Sequence, residues 1–147
     1  MKRKTMKKKK ILEFIESKHL AVLSTINKNN QPESAVVAFA QTKNLEIIFG
    51  TSHTTRKFQN LKINKKVSLV IGWDNKENIT VQYEGLAREV KDQEFEVCRE
   101  IQINKNQESK KYAFAPDQTY FKITPVWIRY SDINKENIFE IEFIDKQ

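Results

Sequence analysis

Short runs of alternating apolar and polar residues dominate this chain, a pattern typical of β-strands with one buried face. They predict strands at residues 20–26, 33–40, 45–51, 67–73, 79–90, 119–130 and, as a seventh, 139–143. Turn-forming Asn, Lys and Asp residues separate the first runs, so neighbouring strands are expected to pair antiparallel. Gly85 predicts a bulge or bend in the fifth strand, and Pro125 marks an edge or a bulge in the sixth.

Three segments change to a helical spacing of apolar residues, which predicts helices at 7–17, 54–64 and 92–104. Thr54 or Thr55 is placed to cap the second helix, and Asp92 the third. The inner face of the third helix is predicted to be Phe95, Val97, Cys98 and Ile101. Six or seven strands with two or three flanking helices predict a mainly β fold with α, an antiparallel barrel, because closure removes exposed strand edges.

Composition restricts the class of protein. The 147 residues, 39% of them hydrophobic, suffice for one core and one domain, and no apolar run is long enough for a membrane helix. The single cysteine, Cys98, cannot form an intramolecular disulfide, and no Cys/His cluster has the spacing of a zinc site. Acidic residues interrupt the segment after the basic start, so we expect no export and a cytoplasmic protein.

The net charge of +7 is concentrated at the start of the chain. Seven of the 26 basic residues lie within residues 2–10, and without them 19 bases face 19 acids. We therefore predict a basic N-terminal tail at residues 1–10 and one domain at 11–147 with a formally neutral body. A solvated tail is favoured over a tether to nucleic acid or to an anionic membrane, although both remain alternatives.

The most informative segment is residues 49–57, Phe-Gly-Thr-Ser-His-Thr-Thr-Arg-Lys, where the third strand runs into the second helix. A helix N-terminus offers unpaired N–H groups and a partial positive charge, to which Arg56 and Lys57 add two cations. The segment is therefore a candidate site for a phosphate monoester. The alternative is that Arg56 and Lys57 are ordinary exposed helix residues, and that His53 is a loop histidine.

Several features between about residues 19 and 90 form a joint pattern: LAVLST at 20–25, a Pro turn, the strand ending at Thr51, Thr55-Arg56-Lys57, Asn60-Leu61 and Val67-Ser68-Leu69. In these features the chain resembles the pyridoxamine-phosphate-oxidase-like split barrels, which bind flavin mononucleotide (FMN). The resemblance implies that FMN lies between two copies of the chain, in a homodimer.

The resemblance also implies the cofactor contacts. Thr55, Arg56 and Lys57 would bind the FMN phosphate, and Gly50 and Thr51 would line the ribityl chain. Backbone groups of Ala35, Val36 and Val37 would meet the edge of the isoalloxazine ring, Thr80 would reach the flavin, and Trp127, which shares a strand face with Arg129, is a candidate cover for the ring in the facing subunit.

Two departures from the family pattern limit the expected activity. Ala35 and Ala40 stand where pyridoxamine phosphate oxidases carry Arg and Lys, so FMN affinity is expected to be lower. The C-terminal Arg- and His-bearing segment that grips pyridoxamine phosphate has no match, which argues against vitamin B6 oxidation.

The sequence thus predicts an FMN-dependent oxidoreductase that acts on an unknown small molecule, with no catalytic residue assigned and no metal. Because a flavin carries redox chemistry in its own ring, the protein needs no acid/base pair. The alternatives are a flavin- or haem-type binding protein without turnover and, less favoured because the body is neutral, a nucleic-acid-binding small barrel.

Overall fold

The computed structural model describes residues 2–143, in which an eight-stranded antiparallel sheet curls around the hydrophobic core. Its strands are β1 (Leu20–Ile26), β2 (Pro32–Ala38), β3 (Ala40–Gln41), β4 (Ile47–Ser52), β5 (Lys66–Ile71), β6 (Ile79–Glu89), β7 (Gln118–Asp132) and β8 (Asn137–Glu142). Their order across the sheet is β2-β1-β5-β6-β7-β4-β3, and β8 pairs with β7. Met1 and residues 144–147, which the sequence assigned to the tail and to the domain, lie outside the described residues.

Four α-helices accompany the sheet within residues 2–143. They are α1 (Lys2–Glu16), α2 (Arg56–Ile63), α3 (Asp92–Lys105) and α4 (Lys110–Ala113), and a 3-10 turn (Gln107–Ser109) precedes the last. Within residues 2–143, no helix combines the length and apolar character needed to cross a membrane.

The predicted fold class is confirmed: the protein is mainly β with α, an antiparallel sheet curled as in a split barrel. An eighth strand arises because the predicted run at 33–40 divides into β2 and β3. The chain leaves β1 at this point, where Gln102 donates to the carbonyl oxygen of Ala38 (2.9 Å) and Asn106 to that of Phe39 (2.7 Å). Helix α3 thereby satisfies carbonyl groups where strand pairing ends.

The predicted bulge lies where β6 meets β7. Gly85 pairs with Pro125 and Glu84 with Trp127, so Val126 is the extra residue. The carbonyl oxygen of Val126 accepts a hydrogen bond from the backbone N–H of Phe143 at 2.9 Å. A bulge reverses the alternation of side chains beyond it, and here it places Trp127 on the same sheet face as exposed Glu84.

The concave face of the sheet carries the core, which α1 covers with Ile11 and Ile15. Tyr83 crosses this core, and its hydroxyl donates to the carbonyl oxygens of Leu45 (2.7 Å) and Ile123 (3.1 Å). A buried phenol therefore has partners, as its desolvation requires.

Three local predictions were wrong. Helix α1 begins at Lys2 and not at residue 7, so the basic residues of the predicted tail within 2–10 are helical. The cap position of α3 falls on Lys91, whose side chain has no acceptor, while Asp92 is the first helical residue with a φ of 56°. Val97 is 47% exposed, and Gln102 replaces it on the buried face of α3.

Candidate functional site

The sheet stays open between β2 and β4, and the start of α2 lies at this opening. We call it the seam. Two cavities open there. The first, the α2 cavity, has a volume of about 350 Å³ and is lined by Thr25, Glu33, Ala35, Thr55, Arg56 and Lys57 among others. The second, the β4 cavity, has a volume of about 240 Å³ and is lined by residues that include Val36, Val37, Gly50, Lys57, Tyr112 and Tyr120.

Strand β2 turns peptide groups toward the seam that pair with no other strand in residues 2–143. Its neighbour β1 pairs with it in a register in which Asn27 donates to Gln31 and Phe39 donates to His19. Because peptide groups alternate in direction along an antiparallel strand, odd-numbered residues of β2 bond β1 and even-numbered residues point away. The N–H and C=O of Val36 therefore face the seam, whereas those of Ala35 and Val37 belong to the β1 ladder.

Lys57 lines both cavities and is half-buried. Its amine forms no hydrogen bond or ion pair with any residue in 2–143, and burial lowers its pKa. A desolvated cation without a counter-ion is unfavourable, and a bound anion would relieve this cost. Lys57 is therefore the strongest anion-binding feature of the seam.

Arg56, the other predicted phosphate ligand, is engaged differently. Its side chain is 80% exposed and forms an ion pair with Glu33, whose side chain is only 17% exposed. Asn60 and Asn27 also donate to the Glu33 carboxylate, at 2.8 and 3.0 Å. These contacts lower the pKa of Glu33 to about 2, and the largest contribution comes from Arg56, with smaller ones from Asn60 and Asn27. A permanent negative charge thus lies beside Arg56 in the α2 cavity.

The sequence predicted Thr54 or Thr55 as the cap of α2, and in the structure the cap is Thr55. Its hydroxyl oxygen accepts from the N–H of Phe58 (3.3 Å), and its proton goes to the carbonyl of Ser52 (3.0 Å). The hydroxyl of Thr51 lies 2.9 Å from that of Thr55. The hydroxyl of Thr55 is therefore used locally, and the phosphate contacts open to α2 are its first N–H groups and its cations.

Gly50 lines the β4 cavity for a steric reason. A Cβ at this position would lie 2.5 Å from the amide nitrogen of Gln118 and 2.8 Å from a ring carbon of Tyr120. Tyr120 is buried and packs edge-on against Phe95. The absence of a side chain therefore lets the Tyr120 ring pass over β4 and form the cavity wall.

The structure brings eight of the ten predicted cofactor residues together at the seam: Ala35, Val36, Val37, Gly50, Thr51, Thr55, Arg56 and Lys57. Thr80 and Trp127 line neither cavity. They lie on the convex face of the sheet, where Trp127 and Arg129 both donate to Glu140, at 3.0 and 2.6 Å. Within one chain, these two residues are separated from the seam.

Sequence reasoning missed Glu33 and Asn60 as site residues. Asn60 is buried and bridges the site to the barrel, since it donates to Thr25 (2.9 Å) as well as to Glu33. The available signal was the alternation itself: Glu33 shares its strand face with Ala35 and Val37, and Val37 is a core residue. A carboxylate on an inward-facing position requires partners.

Comparison with known structures shows the same fold in several proteins. The chain is similar to ChuZ from Campylobacter jejuni, with a TM-score of 0.80 and 17% identity over 94% of this chain and 60% of ChuZ. It is similar to a heme binding protein from Mycobacterium smegmatis (TM-score 0.78, 15% identity, 88% of this chain and 55% of that one). It is also similar to General Stress Protein 26 from Bacillus anthracis str. Sterne, with a TM-score of 0.71 and 24% identity over 91% of this chain and 98% of that one.

This chain therefore spans little more than half the length of the first two of these proteins and nearly all of the third. A comparison with curated protein sequences found no match. The family model described as pyridoxamine 5'-phosphate oxidase matches residues 8–132, which include every strand except β8. The chain belongs to the pyridoxamine 5'-phosphate oxidase family.

Proposed function

We propose that this protein binds FMN at the seam, and that the bound flavin makes it an oxidoreductase acting on a small molecule. The observation that carries the proposal is Lys57, a half-buried cation that lies between two adjoining cavities and has no partner among residues 2–143. A phosphate in the α2 cavity would meet Lys57, Arg56 and the first N–H groups of α2. The β4 cavity would receive the ring system.

The residues at the seam suit such a ligand. The α2 cavity, at about 350 Å³, lies near the lower end of the range for small-molecule sites, roughly 300–1,000 Å³, and the adjoining β4 cavity, at about 240 Å³, lies below that range. The free peptide groups of Val36 can exchange hydrogen bonds with a polar ring edge, and Tyr112 and Tyr120 supply aromatic walls. When bound, a flavin supplies hydride or single-electron transfer, and the chain supplies binding and orientation.

We further propose that the active form is a homodimer with the site at the subunit interface. The convex face of the sheet carries a row of valines joined by cross-strand pairing, Val36, Val22 and Val70, of which Val36 is 61% exposed. Thr80 and Trp127 lie on this same face. The side chain of Val36 lies on this convex face, and its peptide group points toward the seam. A partner subunit that covers the convex face would therefore also reach the seam.

The direct test is the visible absorption spectrum of the purified protein after FMN is added and the excess is removed by gel filtration. We expect flavin bands near one FMN per chain, eluting at the mass of a dimer. Loss of all flavin during filtration would contradict the proposal. Steady-state reduction of the bound flavin by nicotinamide cofactors then tests the oxidoreductase part, which fails if no donor reduces a loaded protein.

A matched pair of variants tests the role of Lys57. Lys57→Gln removes the unpaired cation, and we expect FMN to bind about ten- to a hundredfold more weakly, as for loss of a charge-assisted hydrogen bond. Riboflavin, which lacks the phosphate, should bind the natural chain and Lys57→Gln equally. Lys62→Gln removes a cation from the exposed end of the same helix and is the control. Equal loss of FMN affinity in both variants would place the phosphate elsewhere.

Haem is the second candidate ligand. The M. smegmatis protein with the same fold is named for haem binding, and here the exposed His53, two residues before the cap of α2, could supply an axial nitrogen. Addition of haem should then give a Soret band that shifts in His53→Ala. An unchanged spectrum in the variant would remove His53 as the ligand.

A further inference from the structure

The α2 cavity contains its own carboxylate. Glu33 lies opposite the start of α2, and its two oxygens are held by groups from separate segments: Asn27 in the β1–β2 turn, and Arg56 and Asn60 in α2. Asn60 is only 5% exposed and is fixed in turn by Thr25. The carboxylate is therefore anchored and cannot simply move into solvent when a ligand arrives.

This carboxylate changes the charge that the cavity offers to a ligand. Arg56 and Lys57 alone would present two positive charges, which match a phosphate monoester dianion. With Glu33 among the lining residues, the formal charge falls to +1. A bound phosphate would share the guanidinium of Arg56 with Glu33 and would be repelled by the Glu33 oxygens, in a partly desolvated cavity where charges are weakly screened.

We propose that Glu33 is a specificity-determining residue that lowers the affinity of the site for doubly charged phosphate without affecting affinity for the uncharged flavin ring. The inference rests on the proposed function, since it takes the α2 cavity as the phosphate site. Its consequence is that this protein discriminates less between FMN and riboflavin than a cavity with two unopposed cations would.

The alternative role for Glu33 is to position Arg56. A carboxylate that holds an otherwise exposed guanidinium in place would strengthen phosphate binding by pre-organisation. The two roles have opposite signs in Glu33→Gln, which keeps the shape of the side chain and an acceptor for Asn60 but removes the charge. If Glu33 opposes the phosphate, FMN should bind the variant more tightly. If Glu33 instead holds Arg56 in place for the phosphate, FMN should bind the variant more weakly.

The experiment is a titration of FMN and riboflavin into the full chain, Glu33→Gln and Glu94→Gln. Glu94 is a matched control because its carboxylate also pairs with an arginine, Arg88 (2.7 Å), and its pKa is also held at about 2, yet it lines neither seam cavity. We expect FMN to bind Glu33→Gln about five- to tenfold more tightly and riboflavin to bind it unchanged. Melting temperatures establish that each variant is folded.

The outcomes separate this inference from the proposed function. If the unmodified chain binds FMN and Glu33→Gln binds it equally or more weakly, the inference fails and the proposed function stands. If only Glu33→Gln binds FMN, the inference is supported and FMN is not the ligand of the natural chain. If neither protein binds FMN, both proposals are overturned.

Discussion

At the scale of single residues, Lys105 shows how a charge is kept inside this fold. Its amine donates to the carbonyl oxygen of Ile15 (3.1 Å) and to the side chain of Gln41, and it lies 3.9 Å from the centre of the Phe39 ring. These contacts tie the last turn of α3 to the end of α1 and to β3. Burial nevertheless lowers the pKa of Lys105 to about 8.

This pKa predicts that stability depends on pH in a stated direction. In the unfolded chain Lys105 stays protonated up to about pH 10.5, so between about pH 8 and 10.5 the unfolded state binds more protons than the folded state. The free energy of unfolding should therefore rise with pH in this window. Below the window Lys105 is protonated in both states, so it adds no pH dependence there.

The check is urea unfolding at several pH values from about 7 to 10, for the natural chain and for Lys105→Met, which keeps the apolar stem. The difference between the two profiles should change with pH only in the upper part of the range. Parallel profiles would show that Lys105 keeps its proton in the folded protein. Because the natural chain and the variant share every other titratable group, the difference between their profiles cancels those titrations.

A second residue-scale prediction concerns Gly50. In Gly50→Ala, the added methyl would meet the buried ring of Tyr120 at 2.8 Å, a contact that real Cβ atoms do not make. We expect the variant to be destabilised by about 1–3 kcal/mol, the usual cost of overpacking. Thermal unfolding measures this, and an unchanged midpoint would mean that the Tyr120 ring can move aside.

At the scale of elements, α2 depends on its cap. The Thr55 hydroxyl satisfies the N–H of Phe58 and bonds the carbonyl of Ser52, so it joins the helix to the end of β4. Thr55→Ala should cost about 1 kcal/mol of unfolding free energy, while Thr55→Ser, which keeps the hydroxyl, should lose much less. Urea unfolding of both variants provides the measurement, and equal losses would assign the effect to the methyl group of Thr55.

The elements also show what the sequence could predict. The strands follow from local alternation with turn residues between them, and β1 matches its predicted bounds, 20–26. The start of α1 could not be found locally, because a run of cations at a helix N-terminus opposes the helix dipole. Lys7 and Lys8 lie over the rings of Phe139 and Phe143, contacts with distant residues that no local pattern contains.

The candidate site could likewise be predicted from the sequence only in part. The strand-to-helix segment that ends in Arg56 and Lys57 could be identified because its residues are adjacent in sequence. Glu33 was missed: the alternation along β2 places it on the inward face, but its partner Asn60 in α2 follows only from the tertiary fold. The sequence therefore predicted the cations of the α2 cavity but not the anion beside them.

At the scale of the whole molecule, the convex sheet face connects the proposed dimer to the proposed site. The chain leaves Val70 39% exposed there, between Val22 on β1 and Gln82 on β6. Exposed apolar residues that adjoin across strands mark an interaction surface more strongly than scattered ones. A second copy of this chain would cover the valines and bring its own Thr80 and Trp127 toward the seam.

The final prediction is that Val70→Lys disrupts the dimer and, with it, flavin binding, because the buried face would gain an unpaired charge. Since Val70 is already exposed in the single chain, the variant should keep its fold. Ile133→Lys adds the same charge at a 60% exposed residue in the β7–β8 turn and should remain a flavin-binding dimer. Light scattering after gel filtration, read together with the flavin absorbance of each peak, decides between the outcomes. A monomer that keeps FMN would separate the site from the interface, and a Val70→Lys dimer would place the interface on another surface.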